Sequence, residues 1–128
     1  MTPRDELKAA VMKAMEDGMV EFARTTMEIA FQVIEAHTAT TYHAYFAGFV
    51  PGFVYLGEVT AAIATPRRST PRREVPAGSV AIAGTQTGVY PRTTPGGWNL
   101  IGHTDAILFD AAHGRALVEP GDQVRFIS

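Results

Sequence analysis

The stretch VPAGSVAIAG at residues 75–84, followed after Thr85 by QTGVYP at residues 86–91, decides the fold class of this chain. Its short apolar runs, Ser79–Ala83 and Thr87–Tyr90, are bounded by the turn residues Pro76, Gly78 and Gly84. Short apolar runs between Gly and Pro turns are typical of β strands. The stretch therefore predicts two neighbouring strands.

The same pattern extends in both directions from this stretch. Further short runs lie at Thr40–Phe49, Trp98–Ile101, Ile107–Phe109, Ala116–Val118 and Gln123–Ile127. Many short strands at a spacing of about ten residues favour a sandwich or a closed barrel. A closed barrel leaves no exposed sheet edge. We therefore predict a mainly β fold in which residues 39–128 form one closed β-barrel domain.

The N-terminal segment, residues 1–38, has a different pattern. Apolar residues recur at helical spacing over the first part of this segment and again over about 20–37, which predicts two helical stretches. An apolar helix face of this kind packs on a core or on a partner, so another subunit could cover it.

Composition excludes several classes of function. The 128 residues carry 11 basic and 13 acidic side chains, so nucleic acid and anionic membranes are not expected partners. The absence of Cys excludes disulfides, thiolate catalysis and Cys-ligated metals. The only lysines are Lys8 and Lys13, so a phosphate-binding P-loop cannot be built. The lack of a long apolar run predicts a soluble, cytoplasmic protein.

Three motifs are candidates for a binding site. The first, FVPGFVYLG at residues 49–57, places aromatic side chains beside a turn. The second repeats TPRR at residues 65–68 and 70–73, and its guanidinium groups suit carboxylate, carbamate or phosphate. The third is the turn Pro95–Trp98, whose backbone N–H groups could receive an oxyanion. The alternatives are turns with core aromatics for the first and third motifs, and a solvated loop for the second.

Two common catalytic arrangements are not expected. Ser79 lacks the trailing glycine of the G-x-S-x-G motif, which argues against a serine hydrolase. The histidines at positions 37, 43, 103 and 113 form no H-E-x-x-H motif or tight pair, so no metal site is predicted.

Taken in order, these segments resemble the family that comprises allophanate hydrolase subunit 1 and the B subunit of 5-oxoprolinase, and which includes a bacterial inhibitor of a histidine kinase. The resemblance runs from about Phe22 to Phe126. Its motifs are VIEAH at 33–37, residues 48–57, TPR at 70–72, residues 75–84, QTGVYP at 86–91, PGGW at 95–98, IG at 101–102 and PGD at 120–122.

The resemblance implies a cyclophilin-like barrel preceded by a helix. It also implies a homologous second subunit, of the type of allophanate hydrolase subunit 2 or the C subunit of 5-oxoprolinase. Together such subunits act on the C–N bond of a small amide or lactam, and ATP is used by the complex. A homo-oligomer is a further expectation. The alternative function is a non-catalytic regulatory module that resembles the kinase inhibitor.

The motif positions and their chemistry together suggest a site. Gln86 would orient or polarise the amide, and Gly97, in the turn that ends at Trp98, would offer a backbone donor to a developing oxyanion. Arg72 would bind the anionic group and should matter more than Arg67, which lies outside the best-matching motif. The expected substrate-binding residues are Phe53, Tyr55, Arg72, Tyr90 and Trp98, and no metal is expected.

Overall fold

The computed structural model describes residues 20–128, and their side chains from residue 28 onward. Within this range one helix precedes the strands. Helix α1 spans Val20–Thr38, as the apolar spacing over about 20–37 predicts. Its last turn is fixed by the Thr38 hydroxyl, which donates to the carbonyl of Ile34 at 2.8 Å. The predicted first helical stretch lies outside the described residues. The division into two domains at residue 38 stays a prediction.

Ten short strands follow, so the prediction of a mainly β chain is confirmed. The strands are β1 (Thr41–Ala47), β2 (Val54–Gly57), β3 (Arg72–Val75), β4 (Ser79–Ala83), β5 (Gln86–Val89), β6 (Thr94–Gly96), β7 (Asn99–His103), β8 (Phe109–Asp110), β9 (Arg115–Ala116) and β10 (Gln123–Arg125). Strands β3 and β6 lie in segments where Pro and Gly had predicted a loop and a turn.

The prediction of a closed barrel is not supported. One sheet has six strands in the order β10-β1-β2-β5-β4-β7, and two separate hairpins pair β3 with β6 and β8 with β9. Within residues 20–128, β7 and β10 therefore remain the two edges of the main sheet. The chain between them forms only the two-residue strands β8 and β9, which are too short to bridge the gap.

Strand β4 is buried on both faces, because apolar side chains lie above and below the sheet. All five of its residues are buried. Ile82 packs with Val54 and Leu56 of β2 in one apolar cluster. Ala81 and Ala83 face the other way and pack with Phe53 in a second cluster. This arrangement follows from the alternation of side chains along a strand.

Gly52 occupies a turn that no other residue fits well. Its φ is +89°, and an added Cβ would lie 2.6 Å from the Cβ of Phe109. Gly52→Ala should therefore lower the free energy of unfolding by about 2 kcal/mol, through backbone strain and this contact. Urea denaturation of the variant and the wild type measures the difference.

Gly114 provides the matched control for that substitution. It has a φ of +62°, but nothing lies within 4 Å of an added Cβ. Gly114→Ala should therefore lower the free energy of unfolding by about 1 kcal/mol, through backbone strain alone. Equal losses at the two positions would contradict the contribution assigned to crowding at Gly52.

Candidate functional site

An aromatic cleft of about 110 Å³ lies on one face of the main sheet. We use this name for the space lined by Phe49, Phe53, Tyr55, Arg67, Tyr90, Gly96, Gly97 and Trp98. The lining comes from four separate segments of the chain. The cleft is therefore a product of the fold, and its components lie far apart in sequence.

Phe53 is the centre of the aromatic cleft. Its ring centroid lies 5.2 Å from that of Trp98 and 5.1 Å from that of Tyr55, and both pairs meet edge to face. Tyr90 packs on the same ring at 5.6 Å. Edge-to-face contacts of this kind hold aromatic rings in fixed relative orientations. Because Phe53 and Tyr55 are two residues apart on an extended segment, both side chains point to the same face.

A glycine allows Tyr90 to sit against the neighbouring hairpin. An added Cβ at Gly96 would collide with the Tyr90 hydroxyl and would lie 2.8–2.9 Å from two carbons of its ring. Gly96 is the last residue of β6 and pairs with Arg72 of β3. The absence of a side chain at position 96 thus sets how closely the β3–β6 hairpin approaches the cleft.

The arginine loop, residues 65–71, is anchored beside the cleft. The Arg68 backbone N–H donates to the carbonyl of Gly97 at 2.8 Å, and the Asn99 amide donates to the carbonyl of Pro66 at 2.8 Å. These two bonds lie on either side of Arg67 in the sequence. They hold that residue at the cleft, although the loop as a whole is exposed to solvent.

Tyr90 and Arg67 determine the electrostatics of the aromatic cleft. Burial raises the pKa of the Tyr90 hydroxyl above its usual range. A hydrogen bond from the Trp98 backbone and the positive charge of Arg67 act on this pKa in the opposite direction. The cleft therefore combines apolar walls, the neutral phenol of Tyr90 and one cation, a composition that suits a small anion with an apolar body.

Five of the seven residues proposed from the sequence line this cleft: Phe53, Tyr55, Tyr90, Gly97 and Trp98. Gln86 and Arg72 are not among the lining residues that the structure describes. Gln86 begins β5, whereas Tyr90 follows its end, so their backbones are about 13 Å apart. Arg72 is half-buried on β3, and no acceptor among the described residues reaches its buried Nε.

Three lining residues, Phe49, Arg67 and Gly96, were not among the individual site residues proposed from the sequence. Phe49 adopts a φ of 73°, and its ring meets that of Phe53 at 5.6 Å. Arg67 belongs to the first TPRR repeat, whereas the family motif favoured the second. The repeat itself was the available signal, but spacing alone could not show which of the two arginine pairs faces the cleft.

The described residues hold no group of three or more His, Asp or Glu side chains that could share a metal ion. Over the same part of the chain, no helix has both the length and the apolar character needed to cross a membrane.

Curated relatives with known names match most of this chain. The B subunit of 5-oxoprolinase from Escherichia coli O157:H7 is 57% identical over 97 residues, which are 75% of this chain and 44% of the relative. The protein of the same name from Haemophilus influenzae is 47% identical over 110 residues, 85% of this chain and 50% of the relative. The chain thus spans about half the length of these relatives.

A solved structure supports the same relationship. The Pyrococcus horikoshii protein PH0987, described as conserved and uncharacterized, superposes with a TM-score of 0.70 at 49% identity. The match covers 75% of this chain and 45% of that protein.

A family model also covers most of the chain. The model of the carboxyltransferase domain, subdomain C and D, matches residues 11–118. This match and the relatives named as the B subunit of 5-oxoprolinase confirm the resemblance stated from the sequence motifs. The chain therefore belongs to the carboxyltransferase C and D domain family.

Proposed function

We propose that this chain provides the substrate-binding cleft of a 5-oxoprolinase-type subunit, and that the cleft takes a small lactam or amide bearing a carboxylate. The observation that carries the proposal is Arg67 at the edge of the aromatic cleft. It is supported by the identity of 47–57% to proteins named as the B subunit of 5-oxoprolinase.

Each part of such a ligand has a matching group in the cleft. The guanidinium of Arg67 binds the carboxylate through charge-assisted hydrogen bonds. The aromatic walls pack on the apolar carbons of the ring, through Phe49 and Tyr55, which are more exposed than Phe53 and Trp98. Gly97, which also lines the cleft, brings backbone close to the lactam carbonyl. Gln86, on the far end of β5, takes no part in this arrangement.

The cleft lacks a group suited to general base catalysis. Its described lining contains no Asp, Glu, His or Lys side chain. Opening a stable lactam needs activation of the carbonyl and a nucleophile. We therefore propose that a second subunit, of the type of the 5-oxoprolinase C subunit, supplies the base and that the assembled complex supplies any ATP site.

Arg67→Ala should weaken binding of 5-oxoproline about 10-fold to 100-fold, because the loss of one charge-assisted hydrogen-bonding group costs about 1.5–3 kcal/mol. Titration of the purified chain with 5-oxoproline by calorimetry or by NMR measures the change. The same titration with Arg72→Ala compares the arginine favoured by the family motif with the one that lines the cleft.

Two controls separate charge recognition from other effects. Arg73→Ala removes an exposed guanidinium on the neighbouring strand β3 and should leave the affinity for 5-oxoproline unchanged. The ligand 2-pyrrolidinone has the same lactam ring without the carboxylate, so its binding should not respond to Arg67→Ala. Equal losses for Arg67→Ala and Arg73→Ala would contradict the assignment of Arg67.

A regulatory binding module is the second candidate function. Two aromatic side chains at the cleft are exposed: Phe49, which lines it, is 58% exposed, and Phe46, which stacks on Tyr55, is 50% exposed. Exposed aromatic clusters are typical of protein-binding surfaces. This second function would be favoured by two results together: the wild-type chain does not bind 5-oxoproline, and Phe46→Ala abolishes its binding to a protein partner.

A further inference from the structure

A second cavity lies on the side of the main sheet opposite the aromatic cleft. It has a volume of about 320 Å³ and is bounded by the end of α1, the strands β2, β4, β5, β7 and β10, and the segments 104–108 and 117–118. This volume is within the range of small-molecule sites in proteins. Residues of both sheet edges, β7 and β10, line it.

The walls of this cavity are predominantly apolar. They include Leu56, Val80, Val89, Ile101, Leu108 and Phe126. Among the described lining residues, Arg125 is the only one with an Arg, Asp, Glu or Lys side chain, and it is exposed at the rim. A charged ligand would therefore lose its hydration without gaining a buried partner. Water would be poorly held as well, because an ordered buried water needs several polar partners.

His37 is the buried polar group of this cavity. Its side chain is 3% exposed, and its ring lies 4.5 Å from that of Phe126 and 5.2 Å from that of Tyr42, measured between centroids. Its Nε2 atom lies 2.8 Å from the Thr87 hydroxyl oxygen. These contacts fix the orientation of the imidazole.

The hydrogen-bond network determines which nitrogen of His37 carries the proton. The Thr87 hydroxyl donates its single proton to the carbonyl of Ala81 at 2.8 Å. The Thr87 oxygen must therefore accept from His37, which places the imidazole proton on Nε2. The Nδ1 atom is then an acceptor, and no described residue donates a hydrogen bond to it.

We propose that this cavity binds a small, uncharged and largely apolar molecule whose single hydrogen-bond donor is accepted by Nδ1 of His37. The apolar walls bind the body of the ligand, and Nδ1 selects for a hydroxyl or N–H group. The site is distinct from the aromatic cleft, so the proposal does not depend on the function proposed for that cleft.

Indole and benzofuran provide a matched pair of probes. The two bicyclic molecules have nearly the same shape, but only indole has an N–H donor. Titration followed by NMR should show saturable binding of indole, with chemical-shift changes at Val80, Ile101 and Leu108. Benzofuran should bind about threefold to tenfold more weakly, the range expected for one neutral hydrogen bond. His37→Phe should remove this preference.

Two variants test the location of the probe. Ala106→Trp places a large side chain at an exposed position that lines the cavity, so it should abolish indole binding without disturbing the core. Arg67→Ala alters the aromatic cleft and should leave indole binding unchanged. Absence of saturable indole binding, equal binding of both probes, or binding that responds to Arg67→Ala and not to Ala106→Trp would overturn the proposal.

Discussion

Phe53→Ala should lower the free energy of unfolding by about 3–5 kcal/mol, the usual cost of truncating a fully buried phenylalanine. Phe53 is 2% exposed and contacts the rings of Phe49, Tyr55, Tyr90 and Trp98. The substitution leaves a cavity that these rings cannot fill without losing their edge-to-face contacts. Equilibrium unfolding in urea measures the loss, and the same variant should no longer bind 5-oxoproline.

Phe46→Ala is the matched control for this truncation. Phe46 stacks on Tyr55 at 4.4 Å, but it is 50% exposed, so its removal opens no internal cavity. Phe46→Ala should therefore lower the free energy of unfolding by about 1 kcal/mol or less. A similar loss for both variants would show that the buried cluster around Phe53 contributes no more than the surface stack.

Acid should destabilise the wild-type chain more than a His37→Gln variant. Burial lowers the pKa of His37 from 6.5 to about 4 in the folded state. Protonation therefore favours the unfolded state. The contribution of neutral His37 is fully present above pH 6.5 and is lost as the pH falls from 6.5 towards 4. This loss amounts to about 2–3 kcal/mol between pH 7.5 and pH 4.5.

The measurement compares pH profiles and not absolute stabilities, because His37→Gln also changes packing at pH 7.5. Urea unfolding at several pH values should give a profile for His37→Gln that is flatter than that of the wild type by this amount. His43→Gln, which replaces an exposed imidazole on β1, is the control. A wild-type profile parallel to that of His37→Gln would contradict the shift in pKa.

The strands could be predicted from local sequence, but their closure could not. The run at Ser79–Ala83 and the first three residues of the run at Gln123–Ile127 are strands in the structure, because apolar residues and turn residues alternate on the scale of one strand. Whether a sheet closes depends on how its edges meet, which is a long-range property. The segment between β7 and β10 carries turn residues such as Gly114, and its pairing is limited to a short hairpin.

The aromatic residues of the site could also be predicted from the sequence, but the arginine that lines it, Arg67, could not. Phe53, Tyr90 and Trp98 stand beside Gly or Pro turns, and such positions bring aromatic rings together at a sheet face. The choice between Arg67 and Arg72 depends on two hydrogen bonds that dock the loop, one from the Arg68 backbone to Gly97 and one from the Asn99 side chain to Pro66. Neither bond leaves a pattern in the sequence.

Strand pairing between β1 and β10 has a consequence for biosynthesis. Thr41 pairs with Arg125 and His43 with Gln123, so one edge of β1 has no partner until residues 123–125 have been synthesised. At ordinary rates of translation this takes roughly 4–16 s after β1 has been made. During that interval the nascent chain presents an unpaired strand edge with exposed Tyr45 and Phe46, which is the kind of surface that chaperones bind and that promotes aggregation.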